Sequence, residues 1–281
     1  MRPLLLLLFF PLTFAGLASP ALAATIGFEA GEGYTLAPLC PPGGGQQGWS
    51  GGAQAGCTNN DAGDEAIVST EAYEGSNSWH YARGYGSPGQ GTPFSPTLGS
   101  VAGPGTTFQF SIRFKAASSS GDGSKQNIYM GTSAGIDRTG FNINLVNDPA
   151  GDGLHLITYD DPVTFATQSL AVNLDRTAWH EVSVVAVFDA DPDNDVYQYS
   201  VNGSLAYIGN SWPNPWRVDN GFTPVYGNSI KFADAGSDVP SHNGFYYDAM
   251  SYDIIPEPHT ALLLLVGLGG LAAARRHPSH T

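Results

Sequence analysis

The sequence predicts an all-β domain, a sandwich or a barrel, set between two hydrophobic chain ends. Three observations predict it. Short runs of alternating apolar and polar residues recur along the chain. Helical periodicity is nearly absent from residues 24–255. The composition is rich in turn formers, with 36 Gly and 20 Pro. Alternation with a period of two lays one face of a strand on a core and leaves the other to solvent, and Gly, Pro, Asn and Asp punctuate such strands with turns. Many short strands with few helices make either two packed sheets or one closed sheet.

Residues 1–23 carry Arg2, an apolar run over residues 4–17, and Ala21-Leu22-Ala23. That order reads as a secretory signal peptide cleaved after Ala23. Pro11 and Pro20 argue against a buried core helix there. The domain then spans residues 24–255. Its early part, residues 39–63, is Gly-rich and polar and is bracketed by Cys40 and Cys57. Exported compartments oxidise thiols, so a disulfide between the two is expected, pinning a surface loop. The closed loop adds roughly 3 kcal/mol by the chain-entropy model. Trp79, Tyr81 and Tyr85 read as strand core plus loop. Clean alternation marks strands at residues 106–114, 140–145, 154–159, 180–188 and 196–201. The last two, joined by a polar turn, predict an antiparallel hairpin, because only that pairing buries one face of both. Asn202-Gly203 after the second predicts another tight turn.

Charge narrows the partners. Of 11 Lys and Arg, three (Arg2, Arg275 and Arg276) lie outside the domain and 8 remain; of 25 Asp and Glu, only Glu257 lies outside and 24 remain, a net −16. Such a domain repels nucleic acid and anionic lipid. Solubility and divalent cations are the natural uses of so much acid.

At the far end, Pro256-Glu257-Pro258 precedes an apolar run over residues 261–274, closed by Arg275 and Arg276. The run is short of the roughly 20 residues that span a bilayer comfortably. Its glycines are at home in a membrane helix, and the two arginines stay cytoplasmic, with residues 277–281 as a cytoplasmic tail and the bulk of the chain outside. This triplet, apolar helix and basic end resembles the PEP-CTERM sorting signal of Gram-negative bacteria over residues 256–276. The resemblance implies an exosortase-type processing enzyme as partner, transient anchoring in the inner membrane, and delivery to the cell surface or extracellular matrix. A plain membrane anchor gives almost the same topology.

A second resemblance gathers around residues 174–217. Asp175-Arg176-Thr177-Ala178-Trp179-His180 enters a strand, and Asn194-Asp195-Val196-Tyr197 opens the next. Ser200-Val201-Asn202-Gly203 turns into Ala206-Tyr207-Ile208-Gly209, followed by Ser211-Trp212. Phe28-Glu29 and Phe245-Tyr246-Tyr247-Asp248 flank the domain. Together these resemble the concanavalin-A/laminin-G-like domains. The resemblance implies a two-sheet antiparallel jelly-roll sandwich whose first and last strands pair. It also implies that Glu29 and Asp248 share a structural Ca²⁺.

A separate calcium candidate is the hairpin turn. Asp189, Asp191, Asp193 and Asp195 stand at every second position, and hard Ca²⁺ takes six or more oxygens. The loop departs from the EF-hand pattern, with Asn194 at the sixth place and Ser200 at the twelfth; a solvated turn explains the same residues. Trp212 and Trp216, stiffened by Pro213 and Pro215, form an aromatic loop able to stack on sugar rings or to cap the core. Gly131-Thr132-Ser133-Ala134-Gly135 matches a nucleophile elbow by letters, without the alternating β and α elements that an elbow needs. No E-x-D-x-x-E strand of the β-glucanases is present, Glu181 stands alone on its strand, and Asp160-Asp161 reads as a turn. The expected function is therefore a non-catalytic surface or matrix protein that binds carbohydrate or matrix components. A purely structural or adhesive matrix protein is the alternative, and a polysaccharide-degrading enzyme comes third.

Overall fold

The computed structural model describes residues 25–40, 44–50, 65–82, 93–131, 140–150, 153–159, 166–210, 217–219, 221, 223–234 and 243–256. They form twelve strands: β1 (Glu65–Val68), β2 (Ser78–Tyr81), β3 (Thr106–Ala116), β4 (Lys125–Gly131), β5 (Asn142–Asn147), β6 (Leu154–Tyr159), β7 (Thr167–Leu174), β8 (His180–Phe188), β9 (Val196–Val201), β10 (Ser204–Asn210), β11 (Ser229–Asp234) and β12 (Phe245–Pro256). One sheet runs β1-β2-β12-β3-β8-β9-β10 and the other β11-β4-β5-β6-β7. Neighbours within each sheet are antiparallel. The chain leaves the larger sheet after β3, lays down β4 to β7 as a meander, and returns for β8 to β10. It crosses once more for β11 and closes with β12 in the centre. The all-β, two-sheet antiparallel sandwich expected from the alternation is thus present.

Alternation explains the layers. In β3 and β8 the buried residues fall at every second position, Phe108, Phe110, Ile112 and Phe114 against Val182, Val184, Ala186 and Phe188. From the other sheet Ile128, Met130, Ile143, Leu145, Ile230 and Phe232 complete the same core. Its centre is aromatic. Trp79 lies 4.8 Å from Phe232, edge to face, and 5.1 Å from Tyr81, stacked. Trp49 and Tyr247 each lie 5.3 Å from Trp79. Such pairs add about 0.5–1.5 kcal/mol each beyond area burial.

The expected hairpins are both present. β8 pairs with β9 from Val182↔Val201 to Val187↔Val196. Asn202 (φ 50°) and Gly203 (φ 76°) make the turn into β10, and positive φ at both central positions matches the right-handed twist of the strands it joins. The chain's start also meets its last strand, through an antiparallel bridge of Ile26 with Met250.

One expectation changes. The Gly-rich segment from residue 39 is more than surface loop, since Leu39 and Trp49 are core residues and Ser50 bridges to Phe94. Trp49 is there because its ring completes the aromatic centre while its indole nitrogen donates to the Tyr34 hydroxyl at 3.1 Å. Cys40 is disulfide-bonded; Cys57, the other cysteine of the sequence, lies outside the described residues. Pro256 closes β12, opposite Thr106. β12 has lost its pairing with β2 at that end, so no β2 carbonyl needs an N–H from the proline. The signal peptide, Glu257, Pro258, the apolar run, Arg275 and Arg276 lie outside the described residues. Among the described residues no helix is long and apolar enough to cross a membrane.

Candidate functional site

Strand periodicity sends residues that alternate with core positions to the opposite face. On the five-stranded sheet this outer face carries Lys231 and Ser229 on β11, Asn127 and Tyr129 on β4, and Asn142 and Asn144 on β5. Lys231 stands opposite Tyr129, Tyr129 opposite Asn142, and Asn127 opposite Asn144. An outer face is normally wet, yet these side chains are enclosed, with Asn142 at 2%, Lys231 at 7% and Asn127 at 8% exposure.

A short stretch widens the sheet past β11. Phe94 bridges Lys231 on one side and Ser50 on the other. It is anchored by Phe232 N donating to Pro93 O and Ser95 N donating to Ile230 O. Lys231 Nζ lies 5.6 Å from the Phe94 ring centre and 5.8 Å from that of Tyr129. Gly131 leaves room for this arrangement, since a Cβ there would come 3.0 Å from the Phe94 ring and 3.1 Å from Ser229 Oγ. Burial pulls the Lys231 ammonium down from 10.5 to about 8.

Polar satisfaction on this face is incomplete. Asn144 Nδ2 donates to Asn142 Oδ1 at 3.3 Å. Asn127 Oδ1 and Ser229 Oγ are buried without a hydrogen-bond partner. A buried unsatisfied group costs about 1–3 kcal/mol, so two on one face call for an explanation. Of the side chains described on this face, none is Asp or Glu. Asp148 stands at the rim, 3.8 Å from His155 Nε2.

The residues singled out by sequence fall elsewhere. Glu29 and Asp248 do come to one place, on the two sides of residues 71–77. Glu29 Oε1 accepts from Ser76 N at 2.7 Å and Asn77 N at 2.8 Å. Asp248 Oδ2 accepts from Tyr73 N at 2.8 Å and Glu74 N at 2.9 Å, and its Oδ1 from Ala249 N at 2.7 Å. Burial raises the Asp248 pKa, the three amides lower it, and the Glu29 charge raises it further. In the acidic turn three of the four carboxylates serve the backbone. Asp189 Oδ1 accepts from Asp191 N, Asp191 Oδ1 from Asp193 N, and Asp195 Oδ1 from Asp189 N, at 3.0, 3.2 and 2.9 Å. Among the described residues no three His, Cys, Asp or Glu side chains converge on one point. Trp212, Trp216, Ser133, Asp160 and Asp161 lie outside the described residues. Glu181 pairs with Arg113, whose Nη2 lies 2.8 Å from its Oε2.

At the other end of the sandwich an open depression of about 430 Å³ is lined by Ser119, Asn173, Asp175 and Arg176, among others. Its guanidinium is a staple: Nε donates to Asn147 Oδ1 at 2.7 Å, and Nη2 to Asp148 O at 2.8 Å and Gly153 O at 3.2 Å. The sequence did not single out the Lys231 face. The signal was present in Asn142-Ile143-Asn144 and Ser229-Ile230-Lys231-Phe232, where amide, hydroxyl and ammonium groups alternate with core residues.

No protein-family model matches the chain, and no curated protein does. Among solved structures it resembles a Bacillus licheniformis β-glucanase at 13% identity and a TM-score of 0.42, covering 80% of this chain and 98% of that one. It resembles a carbohydrate-binding module from Bacillus subtilis at 10% identity and a TM-score of 0.34, covering 73% and 95%. It also resembles a sialidase at 12% identity and a TM-score of 0.42, covering 68% of this chain and only 16% of that one. Likeness at this level assigns no activity. It does correct the expectation of a non-catalytic protein, because the structures resembled include a glucanase and a sialidase beside a binding module.

Proposed function

We propose that this chain is an exported surface or matrix protein whose sandwich binds carbohydrate on the outer face of the five-stranded sheet. The observation that carries the binding half is the enclosed polar row Ser229, Lys231, Tyr129, Asn127, Asn142 and Asn144, with Asn127 Oδ1 and Ser229 Oγ unpartnered. Sugars present hydroxyls that both donate and accept, with apolar ring faces between them; amides and aromatic rings on one surface suit both. The export half rests on the two chain ends, read as a signal peptide and as a sorting segment for an exosortase-type enzyme. Kinship with the concanavalin-like jelly rolls belongs to the same proposal.

A structural Ca²⁺ at Glu29 and Asp248 is part of it too. Two like charges are held near enough for one to raise the pKa of the other, which a divalent ion would relieve. The ion would have to draw carboxylate oxygens from the amides they now accept.

A glycan array probed with the exported protein, with and without calcium, tests the binding reading. Binding is expected, and Asn127→Ala with Asn144→Ala should weaken it without unfolding the domain. Binding unchanged in that double variant would move the site elsewhere.

A further inference from the structure

The two sheets have four edges, and the chain itself covers two of them. The β1 edge is covered by the start of the domain, where Ile67 N donates to Ala37 O at 2.9 Å. The β11 edge is covered by the stretch at Phe94. β10 and β7 end their sheets with no further strand beside them among the described residues, and they lie against each other on one side of the sandwich. A bare edge offers a row of backbone donors and acceptors to another strand, and proteins usually blunt it with lysine, other charges or proline. Neither β10 (Ser204–Asn210) nor β7 (Thr167–Leu174) carries Asp, Glu, Lys, Arg, His or Pro, in a domain of net −16. β10 also exposes two large aliphatic side chains, Leu205 at 60% and Ile208 at 52%. Residues three apart in a regular strand face opposite sides. The register shift between Leu205 and Tyr207 turns both the same way, beside Ser200 and Gln198 on the outer face of the seven-stranded sheet. Val172 of β7, 53% exposed, belongs to the same edge of the sandwich.

We propose that this edge pairs with the same edge of a second copy of the chain, β10 against β10, antiparallel about a two-fold axis. The backbone groups of a bare edge call for an extended polypeptide, which a sugar or a lipid does not supply. Because the edge holds no charge, a charged strand gains nothing from it, whereas an uncharged strand with apolar side chains on one face is complementary to itself. Charge also fixes the direction. The acidic turn, residues 189–195, sits at the Asn210 end of β10, where Asn210 Nδ2 donates to Asp193 O at 3.3 Å. The Ser204 end turns through the uncharged Asn202 and Gly203. Antiparallel pairing sets the two acidic turns at opposite ends of a seven-residue strand, roughly 20 Å apart. That is more than twice the Debye length of about 8 Å at physiological ionic strength. Parallel pairing would set them side by side.

The test is sedimentation equilibrium of the full chain in density-matched detergent, at low and at raised salt. A reversible monomer–dimer equilibrium is expected, tightened by salt because the two acidic copies repel each other outside the contact. Ile208→Lys should weaken the dimer about tenfold or more, although it lowers the net negative charge and so favours any unspecific association. Leu36→Lys, beside the covered β1 edge and just as exposed at 62%, should leave the dimer as it is. In the native chain, amide exchange at residues 205–210 should slow as protein concentration rises, a readout that needs no variant. A monomer at every concentration and salt would overturn the proposal. So would a dimer indifferent to Ile208→Lys, or one whose exchange at residues 205–210 does not change with concentration, since either places the association on another surface.

Discussion

Lys231 is the residue whose burial bears most directly on the pH dependence of stability. Its ammonium, 7% exposed, titrates at about 8 instead of 10.5, with burial as the cause. Between those values the unfolded chain binds more protons than the folded one, so stability rises with pH across the window. The rise ends near pH 10, where tyrosines ionise in the unfolded chain while buried ones such as Tyr34, pushed up to about 12, do not. At neutral pH the lysine is charged in both states, and the folded state carries the penalty that lowers its pKa. A displacement from 10.5 to about 8, at about 1.4 kcal/mol per unit, amounts to about 3 kcal/mol. Lys231→Met is therefore expected to flatten the stability of the protein between pH 8 and 10. Denaturant melts at several pH values check this; a native chain with a flat profile would remove the argument. Gln126 is the opposite case, a buried polar residue fully engaged: it donates to Tyr81 O at 2.5 Å and accepts from the Tyr247 hydroxyl. Gln126→Leu removes both bonds from the core and should cost about 2–4 kcal/mol by the same melts.

At the scale of elements, β12 organises the acidic end of the sandwich. Its pairing with β3 slips between Asp248 and Ser251, and Ala249 within the slip has φ 45°, a region that side chains other than Gly seldom occupy. The bulge accompanies the Asp248 carboxylate meeting the amides of Tyr73 and Glu74. The same residues 71–77 are tied down again by Glu71 on Lys115, and by the Tyr73 ring, which lies 4.5 Å beneath the Arg113 guanidinium and 6.1 Å from Trp179. Asp248→Ala should thus cost about 3 kcal/mol and release hydrogen-exchange protection first at Tyr73 and Glu74, while Asp248→Asn, which keeps an acceptor, costs less. Loss of protection spread evenly over the sheets would contradict this role. Which elements were legible in sequence follows from their surroundings. β8 and β9 stand half in water, so apolar and polar residues alternate and the hairpin can be read directly. β4 is buried over nearly its whole length, and Lys125-Gln126-Asn127-Ile128-Tyr129-Met130 alternates too poorly to be read as a strand. β7 is exposed over much of its length and shows no core stripe. The candidate site was hidden for the reason that makes it a site, since enclosure of a polar outer face erases the contrast between faces on which alternation depends.

For the molecule as a whole, the dominant fact is charge. A domain of net −16 brings like charges together when it folds, and every cation in the medium lowers that cost. Screening by sodium and capture of calcium differ in one respect: screening depends on ionic strength alone, while capture depends on identity and on particular carboxylates. Asp189, Asp191 and Asp195 already turn their oxygens to the backbone of their own hairpin. Glu29 and Asp248 face one another's field across residues 71–77, which makes them the pair with most to gain. Binding to the folded state alone stabilises by about 2.7 kcal/mol at a hundredfold excess over the dissociation constant. Calcium is therefore expected to raise the melting temperature above that in sodium chloride of matched ionic strength. The increment should survive Asp191→Asn and vanish in Asp248→Asn, each compared with its own sodium control so that the structural cost of the substitution cancels. Equal melting temperatures in the two salts would assign the whole effect to screening, and an increment lost in Asp191→Asn would place the ion in the hairpin turn.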